Sequence, residues 1–208
     1  MRRLKTARRS EIVGAAWELA AERGLPALSM RGVAARLGLT PMALYGYFRS
    51  KNDLLDGIAA QLLTLLPAPA ADLDPFTRLR ELAGGLRAVA REHPAVAGLL
   101  FTRPAASEQS LLPAERVYQA LLDAGVPEAE VPRLERLLST FVLGYVLSEV
   151  EGRFAASTRL ARSRRVGLGP ADLPAHHRLG PLPHHVDCDA EFAKDLEDLL
   201  TIVEAAAK

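Results

Sequence analysis

Residues 29–48, SMRGVAARLGLTPMALYGYF, leave a chain few ways to fold. Two short apolar-periodic stretches flank a single glycine, and isolated helices shorter than roughly 12–15 residues are marginal in water. Such helices persist only by burying their apolar faces against each other and against a third element. Ser29 and the pair Thr40-Pro41 are N-cap signals, the second with proline at the first helical position. Ala34 falls where two crossing helices leave room for a small side chain, Gly38 where the turn needs positive φ, and Leu44 on the buried face of the second helix. Val33, Leu37, Leu39 and Phe48 complete a miniature core. The spacing predicts a helix-turn-helix.

The remaining punctuation is helical too, with no alternating stretch of strand length, so the fold class is all-α. A first helix is predicted from residue 6 or 10 to 23, and the two short ones run to Gly38 and Phe48. Ser50 and Asp53 form a capping box that opens a helix ended by Pro67. The segment PAPAADLD, residues 67–74, is the clearest boundary. Beyond it, helices are predicted from Asp74-Pro75 to about 93, from Pro113 to 124, from 128 or 132 to 154, and from 189 to 207, with a short apolar turn between Pro94 and Phe101. Residues 157–186, rich in Arg, Pro, Gly and His, read as a long mobile loop.

A chain of 208 residues with 49% hydrophobic and 25% charged side chains is neither disordered nor fibrous, and it can bury a sizeable core. The N-terminal MRRLKTARRS leads into no apolar signal core, and the single cysteine, Cys188, cannot form a disulfide within the chain. The longest apolar run, residues 137–147, is broken by Ser139 and Thr140. It is far short of the ~20 residues that span a bilayer. A reducing cytoplasm and no membrane partner are expected. The net charge of +1 hides an asymmetry: residues 1–66 hold 10 Lys and Arg against 5 Asp and Glu, whereas residues 67–208 hold 16 against 20. A basic first third on an acidic remainder suits a polyanion partner at one end only, although a solvated basic arm has the same charge.

Residues 29–58, and LYGYFRSKNDLL within them above all, resemble the DNA-binding domain of the tetracycline-repressor (TetR) family of bacterial transcriptional regulators. REHPAV, LLDAGVP and FVLGYVLSEVEGRF resemble the ligand-binding half of the branch close to the tetracycline repressor itself, so the likeness covers nearly the whole chain. It implies a helix-turn-helix DNA-binding domain over residues 1–52 and a ligand-binding and dimerisation domain over 53–208, with 53–66 as the linking helix. The expected partners are a double-stranded DNA operator, a small-molecule effector and a second copy of the chain. A helix entering the major groove offers its first residues to base edges, here Thr40, Pro41, Met42 and Ala43. These are small or apolar, which leaves Arg31 as the side chain for a bidentate guanine contact. Tyr45, Tyr47 and Lys51 match family positions that touch phosphates. Arg2, Arg3, Arg8 and Arg9 have two readings, an arm in the adjacent minor groove or a solvated, frayed end.

In the second half, residues 134–154 are apolar nearly all round, which requires cover on more than one side. The resemblance implies that this helix and the last one pair with their symmetry mates as a four-helix bundle. His93, Phe101, Arg103, Tyr118, Phe141, Tyr145 and Glu149 lie on helices that line the family's ligand cavity and are the expected effector contacts. The tetracycline repressor carries a drug-contacting histidine near the end of its fourth helix, where LLTLLP, residues 62–67, has none. The expected effector is therefore not tetracycline but something largely hydrophobic.

His176, His177, His184, His185 and Cys188 invite a metal reading, yet their spacing matches no compact zinc signature and they sit in a Pro/Gly segment. A solvated loop is expected, with no metal and no cofactor. The leading reading is a repressor released from a palindromic operator by its effector. The alternatives are a regulator that answers to a protein partner and a metal-binding enzyme using the His-rich loop. For the latter the sequence offers no paired carboxylate base, nucleophile elbow or phosphate loop, so no enzyme is expected.

Overall fold

The structure is a computed structural model and describes residues 2–103, 108–154, 171–179 and 187–208. Among these, every regular element is a helix. The N-terminal part consists of α1 (Arg2–Arg23), a 3-10 turn at Leu25–Ala27, α2 (Met30–Arg36), α3 (Pro41–Tyr45) and α4 (Lys51–Thr64). The larger part follows as α5 (Pro75–Glu92), α6 (Pro94–Thr102), α7 (Glu108–Asp123), α8 (Val131–Val150), the short α9 (Pro174–Leu179) and α10 (Cys188–Ala206).

The helix starts follow from side-chain caps that relieve the unpaired amides of each first turn. Ser29 Oγ accepts from the Gly32 amide at 3.1 Å, Thr40 Oγ1 from Ala43 at 3.2 Å, Ser50 Oγ from Asp53 at 3.1 Å and Asp74 Oδ2 from Thr77 at 2.9 Å. Asp53 does not close the expected box on the cap residue itself. Its Oδ2 reaches one residue further back, to the Arg49 amide at 2.8 Å, and fixes the turn between α3 and α4. Gly38 has φ +64°, so the bend between α2 and α3 sits in the left-handed region that glycine adopts without strain.

Several boundaries differ from those expected. Helix α1 already begins at Arg2, because residues 2–9 contain good helix formers and no breaker. Helix α3 ends at Tyr45, although the Phe48 amide still bonds Leu44 O at 3.0 Å, which is why the pattern reads on to Phe48. Residues 94–102 make a true helix rather than a turn. Helix α7 has started by Glu108, so Pro113 lies inside it and forfeits one backbone bond instead of opening it. Of residues 157–186, only 171–179 are described, and they carry α9.

Two apolar clusters hold the molecule. The first joins Ile12, Leu19, Val33, Leu44, Phe48, Leu54, Ile58 and Leu62 and reaches Val89, Val96 and Leu99 of α5 and α6. The second joins α5, α7, α8 and α10 through Leu79, Leu121, Leu134, Val142, Phe192, Leu200 and Val203. Helix α4 thus packs with the helix-turn-helix in one core. Its C-terminal end is tied to the other part at Pro67, whose carbonyl accepts from Arg116 Nη1 at 3.0 Å. The Pro67 ring lies on Gly85 of α5 so closely that a Cβ there would stand 2.3 Å from its Cγ and Cδ.

Neighbouring glycines on α5 should therefore respond in opposite senses to alanine. Gly84 is exposed and a Cβ there meets nothing within 4 Å, so Gly84→Ala should stabilise by up to about 1 kcal/mol through helix propensity. Gly85→Ala must displace Pro67 and should destabilise by about 1–3 kcal/mol. Urea midpoints of the two variants against the parent protein check this, and a Gly85→Ala protein as stable as Gly84→Ala would disprove the close approach.

Candidate DNA-reading face and ligand cavity

Helix α3 buries one side chain, Leu44, and this single anchor leaves the rest of the helix to solvent. Thr40, Pro41, Met42 and Ala43 are exposed, Met42 to 79% and Tyr45 to 49%. Arg31, in the first turn of α2, and Lys51, in the first turn of α4, are exposed as well. Tyr47 is half-buried and packs against the first core, so of the two tyrosines Tyr45 is the freer. The Thr40 hydroxyl is occupied as an acceptor by its cap bond but keeps its proton for donation. Arg49 is a further exposed cation beside Lys51, with no acidic partner among the described residues, and sequence reasoning overlooked it. Its place just before a capped helix start was the available signal.

The basic groups of α1 divide. Arg8 pairs with Glu11 one turn on at 2.5 Å, while the side chains of Arg2 and Arg3 lie outside the described residues. Arg9 is neither a groove arm nor a frayed end. Its guanidinium donates to Tyr47 O, reaches Asp53 Oδ1 at 3.4 Å and stands 4.0 Å from the centre of the Phe48 ring. One side chain of α1 therefore clasps the turn that joins α3 to α4. Arg36 at the end of α2 returns to α1 through Glu18 at 3.1 Å and Glu22 at 2.5 Å, and its guanidinium holds the Glu22 carboxyl below its usual range.

A cavity of about 870 Å³ lies where the two cores meet. Arg9, Ser10 and Val13 of α1, one face of α4 from Asp53 to Thr64, and Leu66 just beyond it form one side. Leu79, Leu82, Ala83 and Leu86 of α5, Leu99 and Leu100 of α6, Val117 of α7, and Glu135, Leu138, Ser139, Val142 and Leu143 of α8 form the others. On α8 the lining positions recur at the three- and four-residue spacing of one helix face. Apolar groups dominate, and the polar ones are few, as in most small-molecule sites.

Of the seven residues expected to contact an effector, Arg103 lines this cavity, where it bonds Asp56 at 3.3 Å and Asn52 at 3.0 Å. The other six do not line it. His93 caps α5 and meets Trp17 edge-on at 4.9 Å, Tyr118 is half-buried in the second core, and Phe101 is 54% exposed. Phe141 and Tyr145 pack with Phe192, and Tyr145 also with Phe154. The Tyr145 hydroxyl donates to Cys188 O at 3.0 Å, and burial pushes this phenol up to about 12, so it remains a neutral donor. Glu149 is held by a two-pronged bond from Arg87 at 2.7 and 2.8 Å. These groups join α5, α8 and α10 instead of facing the lumen. Sequence reasoning missed the α4 and α8 stripes, which are aliphatic and carry no chemistry that marks them in isolation.

Among the described residues no cluster of histidine, cysteine and carboxylates could hold a metal, and no helix is long and apolar enough to cross a membrane. His184 and His185 lie outside the described residues, as do the side chains of His176 and His177. Burial raises the Cys188 thiol above its ordinary range, which disfavours the thiolate a metal would need.

The family described as bacterial regulatory proteins, tetR family, matches residues 12–58, and the tetracyclin repressor-like C-terminal domain matches residues 67–206. An HTH-type transcriptional regulator of Saccharopolyspora erythraea is 35% identical over 79% of this chain and 71% of its own. The class A tetracycline repressor from transposon 1721 of Escherichia coli is 31% identical over 95% of this chain and 89% of its own. The crystal structure of the Streptomyces coelicolor TetR family protein ActR with (S)-DNPA superposes with a TM-score of 0.80 at 25% identity, covering 96% of this chain and 98% of that one. An exposed α3 standing on a capped helix-turn-helix, a second helical core with a cavity against α4, and matches that run through both halves make this chain a member of the TetR family of DNA-binding transcriptional regulators.

Proposed function

We propose that this protein is a repressor that binds a palindromic operator as a homodimer and is released by a small, largely hydrophobic effector held in the cavity between its two cores. One observation carries the reading: Arg9 and Asp53, which clasp the reading head, also line the cavity. A molecule that fills the cavity presses on the same α1 and α4 side chains that set the position of α3. The relatives support this, one being a tetracycline repressor and one, ActR, having been crystallised with a small molecule. The open lumen favours a small molecule over a protein partner as the controlling ligand.

The reading head divides its work. Arg31 supplies the bidentate donor for a guanine, Met42 and Ala43 offer apolar contact to thymine methyls, and Tyr45, Tyr47 and Lys51 hold phosphates. Dimerisation uses α8 and α10. Ile202 is 45% exposed on α10, and a Cβ at Gly144 of α8 would meet nothing of its own protomer within 4 Å. A two-fold pair places two heads on successive turns of one DNA face.

DNA selected from random oligonucleotides should be a palindrome with half-site centres one helical turn, ~34–36 Å, or a multiple apart. A single asymmetric element would count against the dimer.

Lys51→Ala should weaken binding to operator and random DNA alike and lower the salt slope by about 1. Arg31→Ala should cost about 1–3 kcal/mol at one base pair only. Binding isotherms on a panel of single-base operator variants separate the two, and uniform losses for Arg31→Ala would reassign it to the backbone.

Any true inducer must bind the protein less tightly when operator is present, since coupling between two ligands is reciprocal. Calorimetric titration with and without operator measures this directly. Equal affinities would exclude the compound tested.

A further inference from the structure

We propose that the cavity selects an elongated aliphatic molecule carrying one cationic ammonium group, with Glu135 as its counter-charge. The inference rests on the cavity being the effector site and specifies what that site accepts. The lining follows α4 from Asp53 to its last residue, Thr64, so the lumen extends for roughly 16 Å at the 1.5 Å rise of a helix, and Leu66 continues it just beyond the helix end. Its apolar walls are aliphatic, and no Phe, Tyr, Trp or His lines it among the described residues. A flat aromatic ligand would find no ring to stack on, whereas an alkyl chain finds leucine and valine along the whole length.

The charges of the wall are unbalanced. Arg9 and Arg103 face three carboxylates, those of Asp53, Asp56 and Glu135. Arg9 is taken by Asp53 at 3.4 Å and Arg103 by Asp56 at 3.3 Å. Glu135 is left over: no hydrogen bond or ion pair joins it to any described residue. Arg136, the next residue, is exposed to solvent and does not line the cavity, and several other polar groups of α7 and α8 have partners of their own. Arg133 pairs with Glu130 at 2.6 Å, Arg116 donates to Pro67 O at 3.0 Å, and the Ser139 hydroxyl turns back to Arg136 O at 3.3 Å. Arg103 Nε also lacks an acceptor, but it is buried, and an atom closed to water is closed to a ligand. Among the described lining residues the net charge is therefore that of one carboxylate, on α8, among Leu138, Val142 and other aliphatic groups.

A carboxylate in such surroundings attracts a cation more strongly than it would in open water and repels an anion by the same reasoning. A primary alkylamine, with a pKa of about 10.4 like that of lysine, arrives protonated at pH 7. Its three N–H groups meet Glu135 while its chain lies along α4. A fatty acid of the same length would bring a second negative charge to Glu135, which no described residue of the wall neutralises.

The test uses decylamine, decanol and decanoate, matched in chain and different in charge, titrated calorimetrically into the 208-residue protein below their micellar concentrations. The amine should bind at least tenfold more tightly than the alcohol, and the acid more weakly than either, since a charge-assisted bond exceeds a neutral one. Glu135→Gln should abolish the advantage of the amine and leave the alcohol unchanged. Because Glu135 has no partner to orphan, this variant should melt like the parent protein. The inference is overturned if decanoate matches the amine, if the preference survives in Glu135→Gln, or if none of the three binds. Operator release is a separate readout. Amine binding that depends on Glu135 but leaves the operator complex intact would uphold the selectivity and refute the effector reading. Release by a ligand indifferent to Glu135 would do the reverse.

Discussion

The burial of α4 is the constraint on which the rest of the structure depends. Leu54, Leu55, Ile58 and Leu62 are buried in the core that also holds Leu44 of α3 and Val33 of α2. Each such side chain contributes about 1.5–3 kcal/mol by leaving water. The five-residue α3 has one buried side chain of its own, so its position is set by this shared core and not by its own stability. The opposite side of α4 borders an open cavity. One helix therefore has a well-packed side, which carries the reading head, and a loosely packed side, which can take a ligand.

The second core is held differently. Helix α5 is an arginine spine: Arg78 bonds Asp123 of α7 at 2.6 Å, Arg80 bonds Glu197 of α10 at 2.6 and 2.8 Å, and Arg87 bonds Glu149 of α8 and Asp189 of α10, both at 2.7 Å in the closer contact. Arg87 is buried and lies 4.9 Å from the Phe192 ring centre, so its charge is met by two carboxylates and an aromatic face. Buried charges must be paired in this way, and the pairing fixes register more than it adds stability. The result is a frame against which α4 and the reading head are positioned.

The reading head was legible because its determinants are local. Caps at Ser29, Thr40 and Ser50, positive φ at Gly38 and the small Ala34 act within a few residues, and each has the role the spacing implies. The cavity wall was not legible, because a void belongs to no single segment. Phe141, Tyr145 and Glu149 stand out in the sequence as polar or aromatic groups on an apolar helix, and for that reason they find partners in Phe192, Cys188 O and Arg87. What lines the lumen is what has no partner to seek, mostly leucine, valine and alanine. Arg9 illustrates the same limit. It sits in a basic arm, and only the tertiary approach of Tyr47 O, Phe48 and Asp53 turns it inward.

The mismatch in strength between these contacts decides how a ligand can act. To move a population from one state to the other, from 99:1 to 1:99, a ligand must favour the second state by about 5.5 kcal/mol. Expelling Phe48 from its fully buried site would cost most of that by itself, about 3–5 kcal/mol on the scale of deleting a buried phenylalanine. The Arg9–Asp53 contact is 3.4 Å long and partly exposed, and ion pairs of that kind are worth about 0–1 kcal/mol. A ligand that exchanges this contact for one of its own therefore spends little there. The helix-turn-helix can then move as a unit about its retained core, and the energy of filling the cavity remains available for that movement.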